Sequence, residues 1–352
     1  MIKVLIVDDS RVVQEFMTHL LTSDPEIRVI GVVGSGDEAV EFVSKNKPDV
    51  ITMDIHMPGM NGYEATRAIM HTFPTPIVIV TSSLRETEIS NSFKLIEAGA
   101  LAVVLRPPGM ADPKFSSSRQ ELITTIKLMS EVKVVRHFQN QMQLRTRKLS
   151  IDNAVDQSDD EIQLIAIGAS TGGPMVLLTI LSNLPKDLPV PVVIVQHIAK
   201  GFLPGFCDWL NSSSKLPVCI AKDGQYLIPG NVYIAPDDFQ MGILPGIKIK
   251  LENLPPENGL CPSVDFLFRS VAEVMGPNAI GVLLTGMGKD GARELKHMKD
   301  KGAVTIVQDE ASCIVFGMPG EAVRIGAVDQ VLSPDKIAGV LALLCKKQKI
   351  GL

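Results

Sequence analysis

Short apolar runs separated by helical patterns constrain this chain more than any other feature. From residue 3 to about 108 the runs KVLIV, RVIGVV, DVITM, PIVIV and ALAVVL alternate with amphipathic stretches. Strands this short, and apolar on both faces, belong in a parallel sheet covered by helices on each side. A five-stranded doubly wound α/β domain is therefore expected over residues 1–134. The alternation resumes after residue 162 with LIAIG, PVVIV, NVYIA, AIGVLLT and AVTIVQ and a final helix near 335–347. That predicts a second doubly wound, mostly parallel α/β domain over 162–352, as a chain of 352 residues needs more than one core. Between them helix is expected through 120–148, turning basic at Lys133, Arg136, Arg145, Arg147 and Lys148 before the acidic stretch IDNAVDQSDDE. No apolar periodicity survives there, so 135–161 reads as a linker.

Charge and cysteine content narrow the function. A net charge of −5 argues against a nucleic-acid or anionic-membrane partner, since both are bound by excess Lys and Arg. No run approaches the ~20 apolar residues of a membrane span, so no membrane insertion is expected. Cys207, Cys219, Cys261, Cys313 and Cys345 are odd in number and form no CxxC pair, which points to free thiols in a reducing cytoplasm.

In the first domain Asp8 and Asp9 follow the first strand, Asp54 the third, Thr81 ends the fourth and Arg106 follows the fifth. A parallel sheet brings these carboxyl ends to one edge, where doubly wound folds place their ligands. Crowded carboxylates repel one another unless a cation intervenes, and an all-oxygen set suits Mg²⁺ with a phosphate oxygen and water. Asp54 would then be the nucleophile toward a phosphoryl donor, Asp8 and Asp9 the metal holders, Thr81 a phosphoryl hydrogen-bond donor and Arg106 the countercharge. The stretches VLIVDDS, DVITMDIHMPGMNG, PIVIVTS and LRPPG resemble the receiver domain of two-component response regulators. That resemblance implies a flavodoxin-like fold, phosphorylation of Asp54 by a histidine kinase, Mg²⁺ at Asp8, Asp9 and Asp54, and the main-chain carbonyl of His56 as a further metal ligand. Two positions depart from the receiver pattern: Arg106 stands for the usual lysine before proline, and Val103 for the usual aromatic three residues earlier.

In the second domain IAIGASTGGP (165–174) lies on a strand-to-helix turn, a geometry that suits either a phosphate cradle or a serine nucleophile. GASTG satisfies the nucleophile-elbow pattern G-x-S-x-G around Ser170. A dinucleotide site would want an acidic residue at the end of the next strand; PVVIV ends instead in Gln196 and His197. Neighbouring parallel strands put Ser170 and His197 at one edge, where imidazole can take the hydroxyl proton. GVLLTGMGKDG brings Asp290 to the same edge to orient the ring. The chain order Ser…His…Asp matches neither α/β-hydrolases, chymotrypsin nor subtilisin.

IGASTGGP, VQHIAKGF, PGNVYIAPDD, CPSVDFLF, GVLLTGMGKDG and EASCIVFGMPGEA together resemble the catalytic domain of the chemotaxis protein-glutamate methylesterases, over about 162–335. The resemblance implies hydrolysis of glutamate γ-methyl esters on methylated chemoreceptors, deamidation of receptor glutamines, and no cofactor in the esterase site. It further implies an oxyanion hole of main-chain N–H groups near Thr171 and Met287, a chemotaxis histidine kinase as phosphodonor, and an unphosphorylated receiver packed over the esterase site. Cys261 stands where this family usually has arginine. A DNA-binding output domain would need a basic helical unit, which the glycine-rich α/β half does not offer. A regulatory paralogue acting on a different receptor system stays open.

Overall fold

The computed structural model describes residues 1–82, 93–132, 134 and 161–346. The first domain carries β1 (Ile2–Val7), β2 (Ile27–Val33), β3 (Val50–Met53), β4 (Ile77–Thr81) and β5 (Ala102–Leu105), all parallel, in the order β2-β1-β3-β4-β5. Around the sheet lie α1 (Arg11–Thr22), α2 (Gly36–Lys45), α3 (Gly62–Thr72), α4 (93–97) and α5 (Phe115–Ser130). Period-two alternation sends Leu5 and Val7 into one core layer and Val4 and Ile6 into the other. Both faces of the sheet are thereby filled, as the continuous apolar runs require.

The second domain has a seven-stranded sheet in the order β14-β13-β12-β6-β7-β9-β8, every pairing parallel. Its strands are β6 (Leu164–Ala169), β7 (Val192–Gln196), β8 (Val218–Ile220), β9 (Val232–Ile234), β12 (Ala279–Leu283), β13 (Val304–Gln308) and β14 (Gln330–Leu332). Between β9 and β12 the chain forms a separate antiparallel hairpin, β10 (Gln240–Leu244) and β11 (Lys248–Glu252). The helices are α6 (Gly173–Asn183), α7 (Leu203–Ser213), α8 (Val264–Met275), α9 (Ala292–Asp300), α10 (Met318–Arg324) and α11 (Pro334–Lys346). From β6 the chain builds outward through β7 to β9 and β8, then returns to β12 on the opposite side of β6. The carboxyl ends of β12, β6 and β7 thus flank the point where strand order reverses, the usual position of a ligand crevice.

The sequence reading and the structure differ over one helix. The helix expected through 120–148 starts at Phe115 and stops at Ser130, where the Glu131 N–H turns back to the Leu128 carbonyl. The linker reading of 135–161 falls almost wholly outside the described residues. The two domains touch directly. Phe93 of α4 is buried against Phe206 and Trp209 of α7, with ring centroids 5.3 Å away in each case. Trp209 Nε1 donates to Glu97 Oε1 at 2.7 Å.

Candidate functional site

At the receiver edge the structure brings Asp8, Asp54, Thr81 and Arg106 together from four strand ends. Burial, helped by the charge of Asp8, pushes the Asp54 carboxyl up to about 6, against main-chain N–H groups of Ile55 and His56 that favour its ionised form. The His56 N–H donates to Asp54 Oδ2 at 3.0 Å, and the His56 side chain is exposed. Asp8 is also raised, by burial first, with Arg106 working in the opposite direction. Asp9 is exposed, yet its charge raises both neighbours. Thr81 is buried at the end of β4, and its carbonyl accepts the Arg106 N–H at 2.8 Å. Among the described residues no three His, Cys, Asp or Glu side chains already stand as a closed metal cage. The repulsion between buried Asp8 and half-buried Asp54, which Arg106 offsets at Asp8, fits a site completed by a cation.

In the second domain Ser170 follows β6, His197 follows β7, and Asp290 follows β12. Two main-chain bonds carry the ladder past the strand ends: Ser170 N–H to the Thr285 carbonyl at 3.0 Å, and His197 N–H to the Ala169 carbonyl at 2.9 Å. Gln196 ties the same two residues from below, its Nε2 donating to the carbonyls of Ser170 and His197 at 2.9 and 2.8 Å. The turn after Ser170 closes through Gly172, whose φ of 81° lies in the left-handed region open to glycine. His197 Nε2 lies 3.0 Å from Asp290 Oδ2, tilted off a straight N–H···O line and without another partner.

Asp290 is buried against the start of α8. Its Oδ1 accepts Ser263 Oγ–H at 2.9 Å and the Asp265 N–H at 3.1 Å; its Oδ2 accepts the Val264 N–H at 2.7 Å. Burial alone would raise this carboxyl, but the His197 ring and the N–H groups of Val264 and Asp265 hold it below the usual range. Beside it, burial and the Asp290 charge push Asp265 up to about 6, opposed by the Gly291 N–H. Ser263 and Asp265 escaped the sequence reading, although CPSVD carried part of the resemblance.

A cavity of about 760 Å³ opens above Ser170 and His197. Thr171, Met287 and Asn258 line it from the catalytic domain, and Val103, Gln120 and Glu121 from the receiver. Among the described residues neither the Thr171 nor the Met287 N–H has an intramolecular acceptor. Cys261 sits in the loop that also carries Asn258, and burial raises its thiol. Glu257 of that loop pairs with Arg269 at 2.5 Å.

Comparison with known proteins agrees with both halves. The model of the CheB methylesterase family matches residues 165–341, and that of the response regulator receiver domain matches 4–112. A protein-glutamate methylesterase/protein-glutamine glutaminase of Geobacter metallireducens is 50% identical over 351 residues, covering 99% of this chain and 100% of its own. One from Syntrophus aciditrophicus is 49% identical, covering 98% of each chain. The crystal structure of the Thermotoga maritima CheB methylesterase catalytic domain superposes with a TM-score of 0.51 at 41% identity, covering 52% of this chain and 99% of that one. With a serine, a histidine and a carboxylate at three adjacent strand ends and a receiver domain ahead of them, the chain belongs to the CheB family of protein-glutamate methylesterases/protein-glutamine glutaminases.

Proposed function

We propose that the chain hydrolyses glutamate γ-methyl esters on methylated chemoreceptors, and deamidates receptor glutamines, under control of phosphorylation at Asp54. The observation that carries this reading is the set Ser170, His197 and Asp290 on β6, β7 and β12, opening on a cavity with two free main-chain donors. With Nε2 beside Asp290, the other ring nitrogen of His197 is left for the Ser170 hydroxyl. His197 takes the hydroxyl proton, Ser170 Oγ attacks the ester carbonyl, and the N–H groups of Thr171 and Met287 receive the developing oxyanion. His197 then gives its proton to the leaving group, the methoxy oxygen, which departs as methanol, or the amide nitrogen of a glutamine, which departs as ammonia. A water activated by the same ring cleaves the acyl-serine, returning Ser170 and leaving glutamate.

Asp54 is the phosphoryl acceptor, with Thr81 and Arg106 facing the incoming group. The carboxylates of Asp8, Asp9 and Asp54 and the His56 carbonyl would hold Mg²⁺, which neutralises phosphoryl charge when bound. The phosphodonor is a chemotaxis histidine kinase. Glu121, Gln120 and Val103 cover the same cavity that Ser170 lines, which supports inhibition by the unphosphorylated receiver. Five free cysteines among the described residues agree with a cytoplasmic setting.

The test is methanol release from premethylated receptor membranes by wild type and Ser170→Ala, each with and without a small phosphodonor and Mg²⁺. Wild type should release methanol, more so with the donor, and Ser170→Ala should not. Release by Ser170→Ala at the wild-type rate would remove Ser170 from the mechanism; release indifferent to the donor would remove the phospho-control.

A further inference from the structure

The loop that carries Asp290 is itself tied to α8, the Gly291 N–H donating to Asp265 Oδ1 at 3.0 Å. Gly288 and Gly291, on either side, have φ of 80° and 84°, and glycine leaves the backbone freer than other residues do. The restraint comes from α8, whose first turn is locked into the core by Val264, Leu267 and Phe268, each wholly buried. A carboxylate offers about four acceptor positions. Ser263 Oγ and the N–H groups of Val264 and Asp265 fill three, and the remaining one faces His197.

We propose that Ser263, acting with the N–H of Val264 that donates to Asp290 Oδ2, is a positioning residue that holds the Asp290 carboxylate in register with His197. The inference rests on the hydrolase reading of Ser170, His197 and Asp290. Ser263 is wholly buried, and its hydroxyl makes two bonds at once, one as acceptor and one as donor. As helix cap it accepts the Phe266 N–H at 3.5 Å, at the edge of bonding range; as donor it reaches Asp290 Oδ1 at 2.9 Å. The hydroxyl therefore serves the carboxylate more than the cap. Without it, Oδ1 keeps only the long bond from Asp265, next to a second carboxylate that repels it. Asp290 would then turn, and the ring would lose its orientation toward the serine.

The experiment measures kcat and KM for methanol release by the full-length protein, with phosphodonor and Mg²⁺, over a range of methylated receptor membrane concentrations. Ser263→Ala should lower kcat about tenfold, the scale of a lost hydrogen bond to a charged group, with KM changed less than about twofold. Val264→Pro removes a second donor together with a wholly buried side chain, so a thermal melt beside the kinetics separates positioning from folding. Proline is favoured at the first helical position, and Ser263 already has the extended conformation a following proline needs (φ −111°, ψ 139°). Helix α8 should persist while one donor to Oδ2 disappears, so kcat should fall here too. An unchanged kcat in both variants, or an effect confined to KM, overturns the proposal. Wild-type protein that releases no methanol overturns the hydrolase reading beneath it, a result neither variant can imitate.

Discussion

Gly286 lacks a side chain because Ser170 already occupies the space. A Cβ at 286 would lie 2.7 Å from Ser170 Cβ and 2.3 Å from Met318 Sδ. The methionine can swing aside; Ser170, bonded through its N–H to the Thr285 carbonyl, can yield only by moving its hydroxyl. Gly286→Ala should therefore fold and melt much like wild type yet lose about a hundredfold in kcat, since small displacements of a reacting group are costly. Methanol-release kinetics beside a thermal melt check this; a variant with wild-type kcat would show that the turn has slack. Gln196 illustrates what residue-by-residue reading misses. The strand end identified His197, but nothing in the sequence showed that the preceding glutamine joins nucleophile and base through their carbonyls. Its Oε1 is buried without a partner, a cost that makes sense beside that double bond from Nε2.

At the level of elements, continuous apolar runs marked all five receiver strands and β6, β7, β9, β12 and β13, because burial on both faces leaves no other pattern. β8 and β14 lie at the two edges of the sheet and are only partly buried, so neither shows the run that central strands do. The hairpin strands QMGIL and KIKLE mix polar with apolar residues, a pattern easily passed over when searching for doubly buried strands. The same asymmetry applies to the site. Residues delivered by strand ends were legible from position, whereas Ser263 reaches Asp290 across 27 residues through the start of a helix, a contact that only tertiary packing creates. Strands β1 and β3 set Asp8 and Asp54 against each other, and this has a consequence for stability. Asp54 is raised from 3.8 to about 6, so the folded protein binds its proton more tightly than the unfolded chain. This carboxyl costs nothing below about pH 4, where both states are protonated, and destabilises the fold as pH rises through about 6, by up to about 3 kcal/mol; lowered carboxylates such as Asp290 act in the opposite sense at acid pH. Asp265, raised to about 6 as well, adds to the slope of Asp54. Melts without divalent cation should show the decline, Asp54→Asn should remove part of it, and Mg²⁺ should stabilise wild type more than that variant. Equal Mg²⁺ response in both would place the cation elsewhere.

Across the whole molecule, the contacts between receiver and catalytic domain include an aromatic cluster, the Trp209–Glu97 hydrogen bond and a shared cavity. Phe93 owes its burial to Phe206 and Trp209 of the other domain, so removing its ring weakens the interface while sparing the receiver core. An aromatic contact of this kind contributes about 0.5–1.5 kcal/mol beyond its area. Phe93→Ala should raise methanol release from receptor membranes about fivefold without phosphodonor, within the usual range of coupling between sites, and leave hydrolysis of a small model ester unchanged. Equal increases for both substrates would mean that the ring acts on the serine itself. Behind this contrast stands the roughly 760 Å³ that the two domains enclose above Ser170, room for roughly two dozen waters at liquid density. An interface that leaves so much solvent beside its nucleophile does not silence the chemistry. On the proposed reading of the site it works as a sieve, passing molecules the size of one side chain and excluding those that carry a whole receptor helix with them.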